Sequence, residues 1–156
     1  QGPAGIDGQD GAVGPQGPPG TPYVEPTYTI GISTDLGGYV FWVSTDGKHG
    51  LVAETQDQGL STWYNAQNLI SDPANHSTNG QKFRDWRLPT KHELNEMYLL
   101  SSAIGNFGTL TYWSSSLASL VGNGSAWRQS FISGGQFNTI LYTLSDFFFV
   151  RSVRDF

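Results

Sequence analysis

Cysteine is absent from the chain. That excludes a disulfide framework, a thiolate metal site and a thiol nucleophile. Charge is sparse as well: 8 Lys and Arg stand against 13 Asp and Glu, a formal net charge of −5. So mildly acidic a balance argues against a nucleic-acid partner, which calls for a basic footprint. No apolar run approaches the roughly 20 residues of a membrane span. No leader peptide is visible, and a chain opening at Gln1 inside a repeat is expected to be a piece of a longer protein.

What is present begins with that repeat. Glycine stands at 2, 5, 8, 11, 14, 17 and 20 without a miss, and the period ends at Pro22. Three polyproline-II chains wind together only when every third residue is glycine, because nothing larger fits at the shared axis. Pro3, Pro15, Pro18 and Pro19 fill positions between the glycines. Residues 1–22 therefore read as a collagen-like stalk on the order of 60 Å long, and the protein as a homotrimer. A flexible linker has no need of this register; a disordered segment is the alternative for its physical state. Stalks of this kind imply export. Asn75-His76-Ser77 and Asn123-Gly124-Ser125 fit the glycosylation pattern of exported proteins.

Residues 23–156 are long enough for one domain with its own core. "YTIGI" at 28–32 predicts a first strand, and "GGYVFWVSTDGKHGLVAET" predicts a hairpin turning at Asp46-Gly47. "STWYNAQNLIS" predicts a short helix capped by Ser61 or Thr62, with Trp63, Ala66, Leu69 and Ile70 on one face. "SDPANHSTNGQ" is a loop by composition. Thr90 and Glu93 form a capping box after Pro89, opening a helix that buries Leu94, Met97 and Tyr98 and ends at Gly105. "TLTYWSSS", "SAWRQSFIS", "NTILYT" and "DFFFVRSVRDF" return to strand signals. Strands, two helices, then strands predict an α+β fold with an antiparallel sheet rather than a doubly wound one.

Four segments, "GGYVFWVSTDGKHGLVAE", "DWRLPTKHEL", "YWSSS" and "FVRSVRD", occur in this order. Together they resemble the C-terminal domain family of Legionella collagen-like adhesins, over about residues 28–156. The "RLPT…E" helix start and the closing "VRSVRD" also resemble formylglycine-generating enzymes, which have a C-type-lectin-like fold. The resemblance implies an extracellular, trimeric, stalked head at the bacterial cell surface. It implies binding of sulfated glycosaminoglycans, with attachment and aggregation as the outcome. A trimerisation cap for the stalk, without a ligand of its own, is the alternative reading.

The enzyme reading is weaker. Formylglycine-generating enzymes depend on cysteine chemistry, and this chain has none. "HELNE" at 92–96 starts like a zinc-protease motif, but Glu96 stands where the second histidine belongs. No Ser-His-Asp arrangement is marked out. The tripeptides Glu-Pro-Asn, Gln-Pro-Asp and Trp-Asn-Asp of calcium-dependent lectins do not occur. No cofactor is expected; a divalent cation has no place that sequence can assign.

Binding candidates follow from charge. Sulfates are fully ionised, meet guanidinium groups bidentately and attract lysine as a point charge. Lys82, Arg84, Arg87 and Lys91 fall within ten residues. Lys82 and Arg84 belong to a loop, and Lys91 opens a helix whose N–H groups are expected to be free. Arg87 lies in the shared "RLP" motif, where a structural ion pair competes with ligand binding. Arg128 and Lys48 are the next candidates. Of Arg151 and Arg154, one is expected to be internal and paired. Glu25, Asp35, Asp46, Glu54 and Asp57 crowd the first third and set an opposite charge against the basic group. Trp42, Trp63, Trp86 and Trp113 are expected in the core, with Trp127 least assignable.

Overall fold

The computed structural model describes residues 1–5, 11, 13–121, 124–141 and 146–156. Gly8 of the repeat, Asn123 of the second glycosylation pattern, and Tyr142 and Thr143 of the expected strand 138–143 lie outside them. The described residues before Tyr23 are exposed and enter no helix or strand.

The hairpin forms where its turn residues dictate. Asp46 Oδ1 accepts from the Ser44 hydroxyl at 2.6 Å and from the Lys48 N–H at 3.0 Å, and Gly47 takes φ +73°. These bonds, Ser44's first, hold the Asp46 carboxyl below its ordinary value. β2 (Gly38–Val43) and β3 (Gly50–Ala53) pair antiparallel across it. β1 (Gly31–Ser33) adds to β2, and β9 (Val153–Asp155) adds to β3. The first strand thus begins at Gly31 rather than Tyr28. The Tyr28 N–H instead bonds Gly47 O at 2.7 Å, and its ring stands edge-on to Phe156.

A second sheet has the order β4 (Gly59–Ser61), β8 (Phe148–Val150), β5 (Thr111–Ser119), β6 (Ser125–Ser130) and β7 (Gln136–Ile140). β5 and β8 run parallel; the other pairs are antiparallel. The chain is α+β, as expected, but with two sheets and one parallel pair in place of a single antiparallel sheet. The reason lies at residues 148–155. That stretch reads as one strand, yet it breaks at Arg151-Ser152 and hands its halves to different sheets.

Among the described residues three α-helices form, not two. α1 (Trp63–Ser71) buries Ala66 and Ile70 and leans Trp63 and Leu69 on the same core. Thr62 stands at its N-cap, but its side chain makes no capping bond. α2 (Lys91–Leu99) starts with the full capping box, Thr90 Oγ1 accepting from Glu93 N and Glu93 Oε2 from Thr90 N. It buries Leu94 and Met97, with Tyr98 half-buried. The chain breaks at Leu100 and resumes as a single turn, α3 (Ser101–Ile104), and it is this turn that Gly105 ends at φ +79°.

Strand alternation sends neighbouring residues into two cores. Val40 and Val52 pack with α1, Trp86, Trp113 and Val150. Phe41 and Ala53 pack with Leu94 and Met97 of α2, Ile104, Tyr112 and Val153. Fully burying each large apolar side chain contributes about 1.5–3 kcal/mol. Trp63 is half-buried, while Trp86 and Trp113 are buried as expected. Trp42 is not: it is 53% exposed. The β2–β3 register slips between Val40 and Trp42, so Phe41 takes the inward position and Trp42 is turned out.

Candidate functional site

The expected basic site depends on how residues 72–86 are held. The segment contains two 3-10 turns, Pro73–Asn75 and Gly80–Lys82, with the Asp72 carboxylate accepting from Ala74 N at the first. Its anchor is His76, with Nδ1 2.8 Å from Glu54 Oε2 and Nε2 2.6 Å from the Ile70 carbonyl. A carbonyl only accepts, so Nε2 carries a proton, and a carboxylate on the other nitrogen favours the second. Burial pushes the imidazole down, but Glu54 and the Ile70 carbonyl outweigh it and hold His76 above its ordinary value; Arg84 opposes slightly. Burial pushes the Glu54 carboxyl up, but bonds from His76, Ser77 and Thr55 outweigh it and hold the group low. The result is an internal imidazolium–carboxylate pair. The ring also stacks on Trp86 at 5.4 Å, and the Trp86 indole donates to Gly80 O at 2.9 Å. At Gly80 a Cβ would meet Glu54 Oε2 at 2.0 Å, so the close approach requires glycine.

Beyond this anchor the backbone extends. Phe83 turns inward, edge-on to Trp86 and 4.0 Å under the Arg154 guanidinium. Lys82 and Arg84 flank it and stay exposed. Neither side chain forms a hydrogen bond or ion pair among the described residues. The other six cations are engaged. Lys48 pairs with Glu25 at 2.7 Å, whose carboxylate raises the lysine's pKa. Arg87 is bidentate to Glu93 at 2.8 and 2.9 Å and also meets Asp155. Arg128 donates to Thr139 Oγ1 and lies over Phe148.

Lys91 departs from expectation. Its Nζ sits 3.3 Å from the Trp127 ring centroid, and its N–H bonds Ser116 Oγ at 2.8 Å. With Thr90 N and Glu93 N in the capping box, most of the donors expected free at this helix start are taken. Lys91 is held against β5, β6 and β7. The basic run in sequence thus divides into an engaged lysine at the start of α2 and two side chains without partners on the preceding segment.

Arg151 and Arg154 are both internal, where one was expected. Arg151 is 0% exposed and donates to Asp57 and to the carbonyls of Glu54, Gly105 and Asn106. Arg154 pairs with Asp85 at 2.8 Å, which draws that carboxyl below its ordinary value against the opposing effect of burial. Strand alternation failed as a guide because Arg151 sits in the break that follows β8 while Arg154 lies on β9. The acidic group dissolves likewise: Glu54 and Asp57 are structural partners, and Asp46 belongs to a turn.

His92, in the first turn of α2, is exposed. No group of three or more His, Cys, Asp or Glu among the described residues is placed to hold a metal ion. The Glu54–His76 pair escaped sequence reasoning, since its members are 22 positions apart and carry no motif. No protein-family model matches the chain, and no characterised protein matches it closely enough to count as a relative.

Proposed function

We propose that residues 23–156 form the head of a trimeric, collagen-stalked bacterial adhesin with a C-type-lectin-like fold, exported to the cell surface. The head binds sulfated glycosaminoglycans and acts as a binding module rather than an enzyme. The observation that carries this reading is that, among the described residues, the side chains of Lys82 and Arg84 alone of the eight Lys and Arg have no partner, on a loop braced by a buried ion pair. A partnerless lysine and arginine two residues apart suit adjacent sulfates, which reward a guanidinium fork and a point charge. The fold assignment draws on the four-segment resemblance and on the element order. The absence of cysteine weighs against the enzyme alternative. No helix among the described residues is long and apolar enough to cross a membrane.

Two cations per head bind weakly. Three heads on one stalk, facing a chain with many sulfates, gain roughly 10²-fold or more in avidity without a new contact. The test is retention of residues 1–156 on immobilised heparin as salt rises. Retention should fall steeply, because exposed charges are screened within about 10 Å at 0.1 M salt. Binding that persists undiminished at about 1 M salt contradicts an electrostatic mode.

A trimerisation cap is the second reading, and one observation favours it. Tyr23 and Val24, just past the last triplet, are 85% and 83% exposed, and Ile30 and Ile32 are also exposed. Apolar side chains at the stalk exit suit packing against two other copies. Residues 23–156 alone should then be trimeric by light scattering; a strict monomer removes the cap.

A further inference from the structure

A separate groove of about 600 Å³ lies between the β2–β3 hairpin, β9 and the first turns of α2. Phe41, Leu51 and Phe156 give it an apolar surface, and Trp42 and Glu96 also line it. That volume is typical of small-molecule sites. Trp42 reaches it because of the β-bulge at Phe41, which turns the indole out of the core. An indole more than half exposed beside an apolar groove is a ready π-face.

Carboxylates outnumber guanidinium groups around this face. Glu93, Glu96 and Asp155 line the groove, while one guanidinium, Arg87, is shared between Glu93 and Asp155. Three carboxylates against one cation leave two negative charges. The Glu96 side chain has no partner among the described residues. His49 and His92 complete the rim and are exposed. Sulfate is repelled here, so the groove stands apart from the Lys82–Arg84 loop. We propose that it binds a small organic cation, an ammonium carried on a compact apolar body. The ammonium lies over the Trp42 ring and faces Glu96, and the body covers Phe41, Leu51 and Phe156. Aromatic faces attract such cations through their quadrupole, most strongly indole.

The probe is choline, compared with its neutral carbon isostere 3,3-dimethylbutan-1-ol, by calorimetry and saturation-transfer NMR on residues 1–156. Choline should bind saturably and the alcohol at least about fivefold more weakly. Trp42→Ala and Glu96→Gln should each weaken choline by about threefold or more. Among the described residues both side chains lack hydrogen-bonded partners, so folding should survive, which an unchanged far-UV spectrum checks. Retention on heparin should be unchanged in both variants, which separates this site from the glycosaminoglycan reading. No saturable choline binding up to about 50 mM, or equal binding of the neutral isostere, overturns the proposal. So does choline binding that survives Trp42→Ala.

Discussion

Replacing His76 by alanine removes the clamp that holds the Lys82–Arg84 loop to the core. Glu54, 0% exposed, would keep the bonds from the Thr55 N–H and hydroxyl and from the Ser77 N–H, and face a void where the imidazolium stood. Losing one partner of a buried ion pair costs about 3–5 kcal/mol. A domain of this size melts about 3–4 °C lower per kcal/mol lost, so the variant should melt about 9–20 °C lower. The same pair sets a pH dependence with a defined sign. His76 is raised from 6.5, so its stabilisation is complete below 6.5 and is lost as pH climbs through the raised folded value. Glu54 is lowered from 4.5, so its stabilisation is complete above 4.5 and is lost as pH falls through the depressed value. The pair is strongest between those two reference values and weakens toward alkaline pH. Melting followed by circular dichroism at about pH 6 and about pH 9 checks this. The wild type should melt lower at the higher pH, and a Glu54→Leu/His76→Phe double variant should lose that dependence. A His76→Ala variant melting within about 3 °C of wild type refutes the reasoning. A double variant as pH-sensitive as wild type refutes it equally.

Arg151→Met should cost about 3–5 kcal/mol in urea denaturation, because Asp57 and three carbonyls lose their buried donor; an unshifted midpoint contradicts this. Gly80→Ala places a methyl 2.0 Å from Glu54 Oε2, so it should destabilise by about 1–3 kcal/mol and shift the His76 ring resonances in NMR. Arg87→Ala should lower stability by about 1 kcal/mol while heparin elution stays put, since Glu93 and Asp155 already occupy the guanidinium; earlier elution would return Arg87 to the binding surface.

Features set by neighbours in sequence were legible in it. The Asp46-Gly47 turn, the Thr90–Glu93 capping box and the apolar face of α1 all involve residues within a few positions of each other. Features set by distant partners were not. The break at Arg151-Ser152 depends on which sheet each half joins, and the bulge at Phe41 is a register slip that no residue type announces. Of Arg151 and Arg154 one was expected inside, and that both are buried follows only once Asp57, Asp85 and the carbonyls around them are in place. Of the candidate site, the residue types were visible but the arrangement was not. Lys82 and Arg84 emerged free, whereas Lys48, Arg87, Lys91 and Arg128 were claimed by partners as near as Glu93 and as far as Asp155.

The proposed binding mode turns on partnerless cations rather than on total charge, and two double variants separate these. Lys82→Ala/Arg84→Ala and Lys48→Ala/Lys91→Ala each remove two positive charges. On a heparin column the first should elute at clearly lower salt than wild type, with a shallower salt dependence because two counter-ion-releasing contacts are gone. The second should elute close to wild type, since Lys48 is held by Glu25 and Lys91 by Trp127. If the two double variants elute together, net charge alone governs retention and the Lys82–Arg84 site is contradicted; elution of the first with wild type contradicts it outright.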